Sequence, residues 1–321
     1  MDPDKEIHFQ FFDSFPLIKV YKSGRVERFR TQLAPASTDP ATGVTSKDVV
    51  IDSSTGRWVR LYLPKLENSS EQKLPVVIYY HGGAFVIGSA ADPFSHSFLN
   101  RLVAESKIVA VSVNYRLAPE FPLPIGYEDS VAGFKWVISH ANGSGPEPWL
   151  IDHADFGRVF LSGCSAGGNM AHTVALRAGL DKLEPGVVVK GMVIIHPYFS
   201  GEERIGSEVR RSDAEWAKTK EIWHFVYPGT SGMDDPVSNP FAEGAPSVKN
   251  LVCKRVLVCV AEHDSLRDRG VWYYEKLKES EWDGEAELFE SVGEGHGFHG
   301  FKPTCKKTAE LIEQVIAFLK N

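Results

Sequence analysis

The sequence predicts an α/β protein built around a mostly parallel sheet, and two observations carry this prediction. Continuous apolar runs at residues 75–80 and 108–113 are rich in β-branched side chains, which is typical of strands buried on both faces. Helical patterns separate such runs, beginning with an apolar face over residues 95–106. Alternating strands and helices are the pattern of βαβ units, whose strands run parallel.

The N-terminal part of the chain predicts paired antiparallel strands instead. Short apolar runs at residues 17–21 and 26–29 flank Ser23 and Gly24, and this composition favours a β-hairpin. Residues 47–51 and 58–63 are a second predicted pair of strands.

The remainder of the chain returns to strand–helix alternation, with two interruptions. Residues 114–127 contain three prolines and are expected to be irregular. Residues 199–244 are charged and aromatic and then rich in Gly, Pro and Asp, which predicts an insertion over the carboxyl edge of the sheet. The other predicted strands are residues 159–161, 187–195, 256–261 and 286–291, and the other predicted helices are residues 128–142, 267–279 and 305–320.

Composition excludes several classes of function. The chain has 321 residues, of which 43% are hydrophobic and 24% charged, and these are ordinary globular values. The formal net charge of −7 gives no basic surface for nucleic acid. Its four cysteines have no metal-ligand spacing and no disulfide-framework density. The N-terminus is acidic without an apolar core, and no stretch is long enough to span a bilayer. We therefore expect a cytoplasmic protein without metal, membrane or nucleic-acid partners.

The stretch of residues 159–172 organises the rest of the chain. A short apolar strand runs into GCSAG at residues 163–167 and then into a helix, and Gly-x-Ser-x-Gly at such a turn is the nucleophile elbow. The elbow strains the backbone at Ser165, and side chains at positions 163 and 167 would collide with neighbouring backbone. A chance serine in a glycine-rich turn is the alternative, which only the context can exclude.

A nucleophilic serine requires a base and an acidic group that orients the base. In this architecture the chain order is Ser, acid and then His. Asp264 follows the predicted strand at residues 256–261, and His296 follows the one at residues 286–291. Both therefore belong at the carboxyl edge, where ligands bind in open α/β sheets. Rival candidates lie close by: Asp268, which we expect to cap or pair on the following helix, and His263 and His299.

Donors for a developing oxyanion are expected beside the elbow. His81, Gly82 and Gly83 end the buried strand at residues 75–80, and two glycines let backbone N–H groups approach a reacting carbonyl closely. We expect the N–H groups of Gly82, Gly83 and Ala166 to form an oxyanion hole. A tight turn that needs positive φ is the alternative explanation of the glycines.

Five motifs carry a family resemblance: HGGAF from residue 81, NYRLAPE-x-P-x-P from 114, GxSAGGN from 163, EHDSLRDRG from 262 and EGHGFH from 294. Together they resemble the plant carboxylesterases of the hormone-sensitive-lipase group of α/β-hydrolases. The resemblance extends from about residue 16 to the C-terminal helix. It implies an α/β-hydrolase fold with an eight-stranded, mostly parallel sheet and helices on both faces. It also implies Asp264 as the acid and His296 as the base.

The same resemblance implies a single domain, residues 1–321, with a cap formed by about residues 1–45 and 199–244. Aromatic side chains in these segments suggest an apolar substrate. The expected pocket residues are Ala84, Phe85, Trp216 and Trp223, and further aromatic cap candidates are Phe9, Phe11, Phe12, Phe15, Phe225 and Tyr227.

Position 164 departs from the family pattern, because Cys164 stands where most relatives have Asp. A thiol changes the polarity beside the nucleophile and puts the usual hydrogen bonding of the elbow in doubt. We expect Cys164 to point away from the substrate, to be buried and to react slowly.

The function implied is a serine carboxylesterase of plant specialised metabolism that acts on small to medium apolar esters, such as acetyl or aryl esters, without a cofactor. Two alternatives share the fold. The related 2-hydroxyisoflavanone dehydratases eliminate water and tend to carry Thr at the nucleophile, although some relatives keep Ser and perform eliminations or cyclisations. The gibberellin receptors lack the triad His. Ser165 and His296 favour the esterase, and the oligomeric state is not predicted.

Overall fold

The structure is a computed structural model that describes residues 2–11, 17–29, 31–66, 73–181 and 183–320. The cap candidates Phe12 and Phe15 lie outside these ranges, as does the side chain of Phe11. Among the helices of the described ranges, none combines the length and apolar composition that a membrane crossing requires.

Two sheets contain the strands of the described residues. A small antiparallel sheet has the order β1-β2-β3, and the predicted hairpin is its β2–β3 pair. The small sheet consists of β1 (Ile7–Phe11), β2 (Ile18–Tyr21) and β3 (Val26–Arg28). The strands of the large sheet are β4 (Thr45–Asp52), β5 (Arg57–Leu63), β6 (Leu74–Tyr80), β7 (Val109–Asn114), β8 (Ala154–Cys164), β9 (Val189–Ile195), β10 (Arg255–Ala261) and β11 (Glu285–Ser291).

The large sheet has eight strands in the order β11-β10-β9-β8-β6-β7-β5-β4. Strands β4 and β5 pair antiparallel, and β5 pairs antiparallel with β7. All the other neighbours run parallel. The predicted eight-stranded, mostly parallel sheet is therefore confirmed, and its carboxyl edge brings together loops that are far apart in sequence.

The helices match the predicted positions with small shifts at their ends. Helix α2 begins three residues earlier than predicted, because the last proline of the irregular segment directly precedes its first residue. The short helices α3 and α7, and the helix α5 inside the predicted insertion, were not predicted. The helices are α1 (Pro93–Ser106), α2 (Ile125–Ile138), α3 (Pro148–His153), α4 (Ala166–Leu180), α5 (Asp213–Val226), α6 (Arg267–Glu279), α7 (Phe298–Phe301) and α8 (Lys306–Lys320).

Helices cover both faces of the large sheet because successive strand residues point in opposite directions. In β6, Val76 and Ile78 join the core that α2, α4 and α6 cover, whereas Val77 and Tyr79 join the core under α1 and α8. Burying each large apolar side chain contributes roughly 1.5–3 kcal/mol. Two filled faces hold the sheet rigid, so the loops at its edge start from fixed points.

Residues 199–244 leave the carboxyl end of β9 and include α5. Ser212 caps this helix in a reciprocal capping box with Glu215. The ring of Phe9 in β1 stacks on Phe225 with centroids 3.8 Å apart. The small N-terminal sheet and α5 are therefore in contact.

Candidate active site

Ser165 lies in a strained turn between β8 and α4. Its φ of 57° and ψ of −119° are a conformation that L residues rarely adopt. A Cβ at Gly163 would lie 2.1 Å from the carbonyl oxygen of Gly167, and one at Gly167 would lie 1.9 Å from that of Tyr80. Both glycines are therefore required by close backbone contacts, as the sequence predicts.

Ser165, His296 and Asp264 form one line of hydrogen bonds. Nε2 of His296 lies 3.0 Å from Oγ of Ser165, and its Nδ1 lies 2.8 Å from Oδ2 of Asp264. The second carboxylate oxygen, Oδ1, accepts the N–H of Leu266 at 2.9 Å. The Asp264 side chain is 1% exposed and that of His296 is 40% exposed. The acid is therefore held inside the protein, and the imidazole faces the space where a substrate could enter.

The rival candidates lie elsewhere. Asp268 accepts the N–H of Ser207 at 2.6 Å and pairs with Arg267 at 3.0 Å. This matches the expected pairing on α6, with an additional bond to the inserted segment. His263 is exposed, and His299 is buried against Phe98, with ring centroids 5.4 Å apart.

Among the described residues, the N–H groups of Gly82 and Gly83 donate no hydrogen bond to a backbone carbonyl oxygen. Ala166 is the first residue of α4, so its N–H group has no partner within the helix. The backbone at Gly83 has a φ of 119°, and a Cβ there would lie 2.2 Å from the carbonyl oxygen of Ile87. Nδ1 of His81 donates to the carbonyl oxygen of Gly82 at 2.7 Å. These contacts orient the turn beside Ser165. They leave the N–H groups of Gly82 and Gly83 available to a substrate oxygen.

His81 is a neutral, buried anchor for this turn. Its ring stacks on Tyr115 with centroids 4.1 Å apart, and the Tyr115 hydroxyl donates to the His81 carbonyl oxygen at 2.7 Å. Burial lowers the pKa of His81 to about 4. An uncharged imidazole therefore holds the backbone at neutral pH.

An aromatic group lies beside the turn. Phe85 meets Tyr198 edge-on at 5.7 Å and Trp223 at 6.1 Å, and Tyr198 stacks on Trp223 at 5.6 Å. Ala84 and Phe85 both have positive φ, at 53° and 65°. Trp216 is not part of this group: in the described residues, its ring partner is the guanidinium of Arg204, 5.2 Å away.

Tyr198 was missed by the sequence reasoning. It follows the carboxyl end of β9, and its N–H donates to the Ser165 carbonyl oxygen at 3.0 Å. Arg28 was also missed. Its guanidinium donates to the carbonyl oxygens of Val86 and Ala118 at 2.7 and 2.9 Å. Tyr198 could have been predicted as a site residue, because it follows the carboxyl end of a predicted strand. Arg28 could not, because nothing in the sequence of a hairpin shows where its arginine side chain will bind.

Cys164 is 9% exposed and packs in the core under α1 and α8. Burial, and then the charges of Asp264 and Asp92, raise the pKa of its thiol to about 12. The expected burial of Cys164 is confirmed.

The order of the sheet, the strained turn and the Ser–His–Asp line define the α/β-hydrolase class. A family model described as an alpha/beta hydrolase fold matches residues 77–300. The chain belongs to this family, within its group of plant carboxylesterases, and it is an enzyme of the serine hydrolase type.

Curated plant proteins share nearly the whole chain. A tuliposide A-converting enzyme of Tulipa gesneriana, described as chloroplastic, is 47% identical over 96% of this chain and 78% of its own length. A 2-hydroxyisoflavanone dehydratase of Glycyrrhiza echinata is 43% identical over 95% of this chain and 94% of its own. A probable carboxylesterase of Arabidopsis thaliana is 43% identical over 95% of both chains.

A solved structure supports the fold. The hyperthermophilic esterase of Pyrobaculum calidifontis superposes with a TM-score of 0.66 at 31% identity, over 86% of this chain and 85% of that one. The similar proteins thus include esterases and a dehydratase. The similarity therefore does not assign a single reaction to this chain.

Proposed function

We propose that the protein is a carboxylesterase that hydrolyses small to medium apolar esters, such as acetyl or aryl esters, through an acyl-enzyme. One observation carries the proposal: both ring nitrogens of His296 are engaged, one with Ser165 and the other with buried Asp264. Since Asp264 holds the proton on Nδ1, Nε2 is free to accept the proton of the serine hydroxyl.

In the acylation step, Oγ of Ser165 attacks the ester carbonyl carbon while its proton moves to Nε2 of His296. The carbonyl π electrons move to oxygen, and the N–H groups of Gly82, Gly83 and Ala166 stabilise the resulting oxyanion. When the intermediate collapses, the bond to the alcohol oxygen breaks. The alcohol leaves with the proton from His296, and an acyl-Ser165 ester remains.

In the deacylation step, water attacks the acyl carbon and gives a proton to Nε2 of His296. The second tetrahedral intermediate forms in the same oxyanion site. Its collapse breaks the bond to Oγ of Ser165, which recovers the proton from His296, and the carboxylic acid departs. Asp264 stabilises the imidazolium in both steps and stays ionised.

For the substrate, we assign the pocket to Ala84, Phe85 and Trp223, and we add Tyr198. This aromatic group favours an apolar acyl or alcohol part, since aromatic faces bind apolar surface and other rings. We also propose that residues 1–45 and 199–244 act as a cap on a single hydrolase domain. The stack of Phe9 on Phe225 supports this proposal, because it joins the two segments. Trp216 belongs to this cap but lies against Arg204.

Elimination is the second candidate, because a dehydratase is 43% identical to this chain. In that reaction, Nε2 of His296 removes a proton next to a carbonyl group, and the oxyanion site stabilises the resulting enolate. As the enolate re-forms the carbonyl group, a carbon–carbon double bond forms and the bond to the hydroxyl oxygen breaks. The hydroxyl group takes the proton from His296 and leaves as water. No covalent bond to Ser165 forms. The presence of Ser165 within hydrogen-bonding distance of His296 favours hydrolysis.

A covalent test separates the two reactions. With p-nitrophenyl acetate, we expect a burst of p-nitrophenol equal to the enzyme concentration, and a fluorophosphonate should add one covalent mass to the protein. Ser165→Ala is the control and should show neither. Dehydration of a 2-hydroxyisoflavanone by the Ser165→Ala variant, together with no burst in the wild type, would establish elimination instead.

A further inference from the structure

His196 is a buried residue next to the proposed base that none of the steps above uses. It follows β9 directly, is 0% exposed and has a φ of 48°, which is unusual for a residue with a side chain. Its N–H donates to the Cys259 carbonyl oxygen at 2.7 Å. The centroid of its ring lies 5.7 Å from that of His296. Strain at a buried residue in contact with a site suggests that its position serves that site.

The ring of His196 holds the residue that follows His296. The N–H of Gly297 donates to Nδ1 of His196 at 3.2 Å. His296 lies in the segment GEGHG, where Gly293 and Gly297 both have positive φ. Glycines leave a loop many conformations, so a contact that fixes the Gly297 amide also restricts the ring of His296.

This contact sets the tautomer of His196. A neutral imidazole carries one proton, and Nδ1 accepts a hydrogen bond, so the proton is on Nε2. Nε2 is buried and has no hydrogen-bond partner in the described residues. Burial, and then His299 and His296, hold the pKa of His196 well below its usual range. The ring therefore stays neutral when His296 becomes charged.

The surrounding cluster does not favour a metal ion. Ligand atoms of Cys164, His196 and His299 lie within 4.8 Å of one another. A metal ion at Nε2 of His196 would require the proton to move to Nδ1, where it would face the N–H of Gly297. Two donors would then oppose each other, so the ring is suited to hold the loop rather than an ion.

Building on the proposed esterase function, we propose that His196 is a positioning residue: its Nδ1 holds the Gly297 amide and thereby keeps Nε2 of His296 within reach of Ser165. The role requires an acceptor at the δ position of residue 196 and an uncharged side chain. Asp264, His196 and His296 bring ligand atoms within 4.8 Å of one another. A charged His196 would compete with His296 for the Asp264 carboxylate, and a neutral ring avoids this.

Two amide side chains of different length test the proposal. In His196→Asn, Oδ1 takes the place of Nδ1, and Asn tolerates positive φ. In His196→Gln, the acceptor reaches the ε position instead. We expect His196→Asn to keep kcat for p-nitrophenyl acetate within about 3-fold of the wild type. His196→Gln and His196→Leu should lower kcat by about 10- to 100-fold, the range expected for a displaced catalytic group. KM should stay within about 2-fold, since His196 does not line the aromatic pocket.

Thermal unfolding and active-site titration with a fluorophosphonate separate positioning from folding. Under the proposal, kcat per titrated site differs between Asn and Gln at similar Tm. Equal kcat for these two variants, or a wild-type kcat for His196→Leu, would refute it. If the Leu variant does not fold, the Asn and Gln pair decides alone.

The wild-type enzyme offers an independent test. Nitrogen-15 NMR of labelled histidine should show the His196 proton on Nε2, and a proton on Nδ1 would overturn the proposal. Failure of the esterase function is recognised separately, because the wild type would then show no burst with p-nitrophenyl acetate, or Ser165→Ala would hydrolyse this ester as fast as the wild type. An inactive Ser165→Ala together with fully active His196 variants removes only the positioning role.

Discussion

Nδ1 of His296 lies 2.8 Å from Oδ2 of Asp264, and the other oxygen of this carboxylate is occupied by the N–H of Leu266. Each oxygen of the carboxylate therefore has its own donor. Oδ1 accepts the N–H of Leu266, and Oδ2 accepts the N–H at Nδ1 of His296. An acid fixed in this way selects the tautomer in which Nε2 is the free base.

Asp264→Asn should therefore lower kcat by about 10⁴, because an amide can donate to Nδ1 and stabilise the wrong tautomer. Asp268→Asn is the matched control, since Asp268 binds Ser207 and Arg267 instead. It should change kcat less than about 10-fold and chiefly lower Tm. Steady-state kinetics on p-nitrophenyl acetate measure both effects. If Asp268→Asn lowers kcat by the larger factor and Asp264→Asn by the smaller one, Asp264 is not the acid.

Ser165→Ala should abolish ester turnover and leave Tm within a few degrees of the wild type. Alanine keeps the Cβ and loses only Oγ, so the strained turn at φ 57° is retained without a new clash. Circular dichroism and kinetics check both parts. Turnover at the wild-type rate would contradict the assignment of the nucleophile.

Trp223→Phe should change KM and the ranking of aryl and alkyl esters by about 3- to 10-fold, with a smaller change in kcat. The indole contacts Phe85 and Tyr198 in the aromatic group beside the oxyanion turn. Trp216→Phe, in a residue that lies against Arg204, is the comparison and should alter the ranking less. Equal effects would show that the pocket extends to Trp216.

Iodoacetamide should leave esterase activity intact, because burial raises the pKa of the Cys164 thiol to about 12 and little thiolate is present. Cys305 is the expected site of modification. Burial is the largest single influence and raises the pKa of its thiol, but hydrogen bonds with Thr308 and the Lys307 backbone together outweigh it and give a net lowering. Peptide mass mapping identifies the modified thiol. Rapid labelling of Cys164 with parallel loss of activity, prevented by substrate, would contradict this prediction. Cys164→Asp should remain active.

The free energy of unfolding should fall as the pH drops from about 6.5 towards 4. Burial lowers the pKa of His81, His172 and His299 to about 4. The unfolded state therefore binds these protons at a higher pH than the folded state does, and stability is fully present only above the unfolded pKa. Between these two pKa values, each such histidine changes the free energy of unfolding by about 1.4 kcal/mol per pH unit.

Urea unfolding at pH 5.5 and 7.0 measures this slope. His172→Gln should reduce the pH dependence of the free energy of unfolding by about one proton. The same pH dependence in His172→Gln and in the wild type would show that His172 does not contribute.

Local chemistry explains what could be predicted from the chain. Apolar runs such as residues 75–80 indicate buried strands, and a backbone turn too tight for a Cβ requires Gly163 and Gly167. Asp264 and His296 were selected because each follows a predicted strand, and parallel strands end at a common edge. These properties belong to short segments, so the sequence alone reveals them.

Only the tertiary structure showed which side chains support that edge. The hydrogen bond between Gly297 and His196 joins residues that are 101 positions apart in the chain. Phe9 meets Phe225, and Arg28 reaches the carbonyl oxygens of Val86 and Ala118. No local pattern marks His196 or Arg28, because an isolated His or Arg fits many environments. The sequence indicated Phe9 and Phe225 as cap residues, but it did not show that their rings would stack on each other. Their roles follow from the packing of distant segments over one rigid sheet, and that packing depends on the whole chain at once.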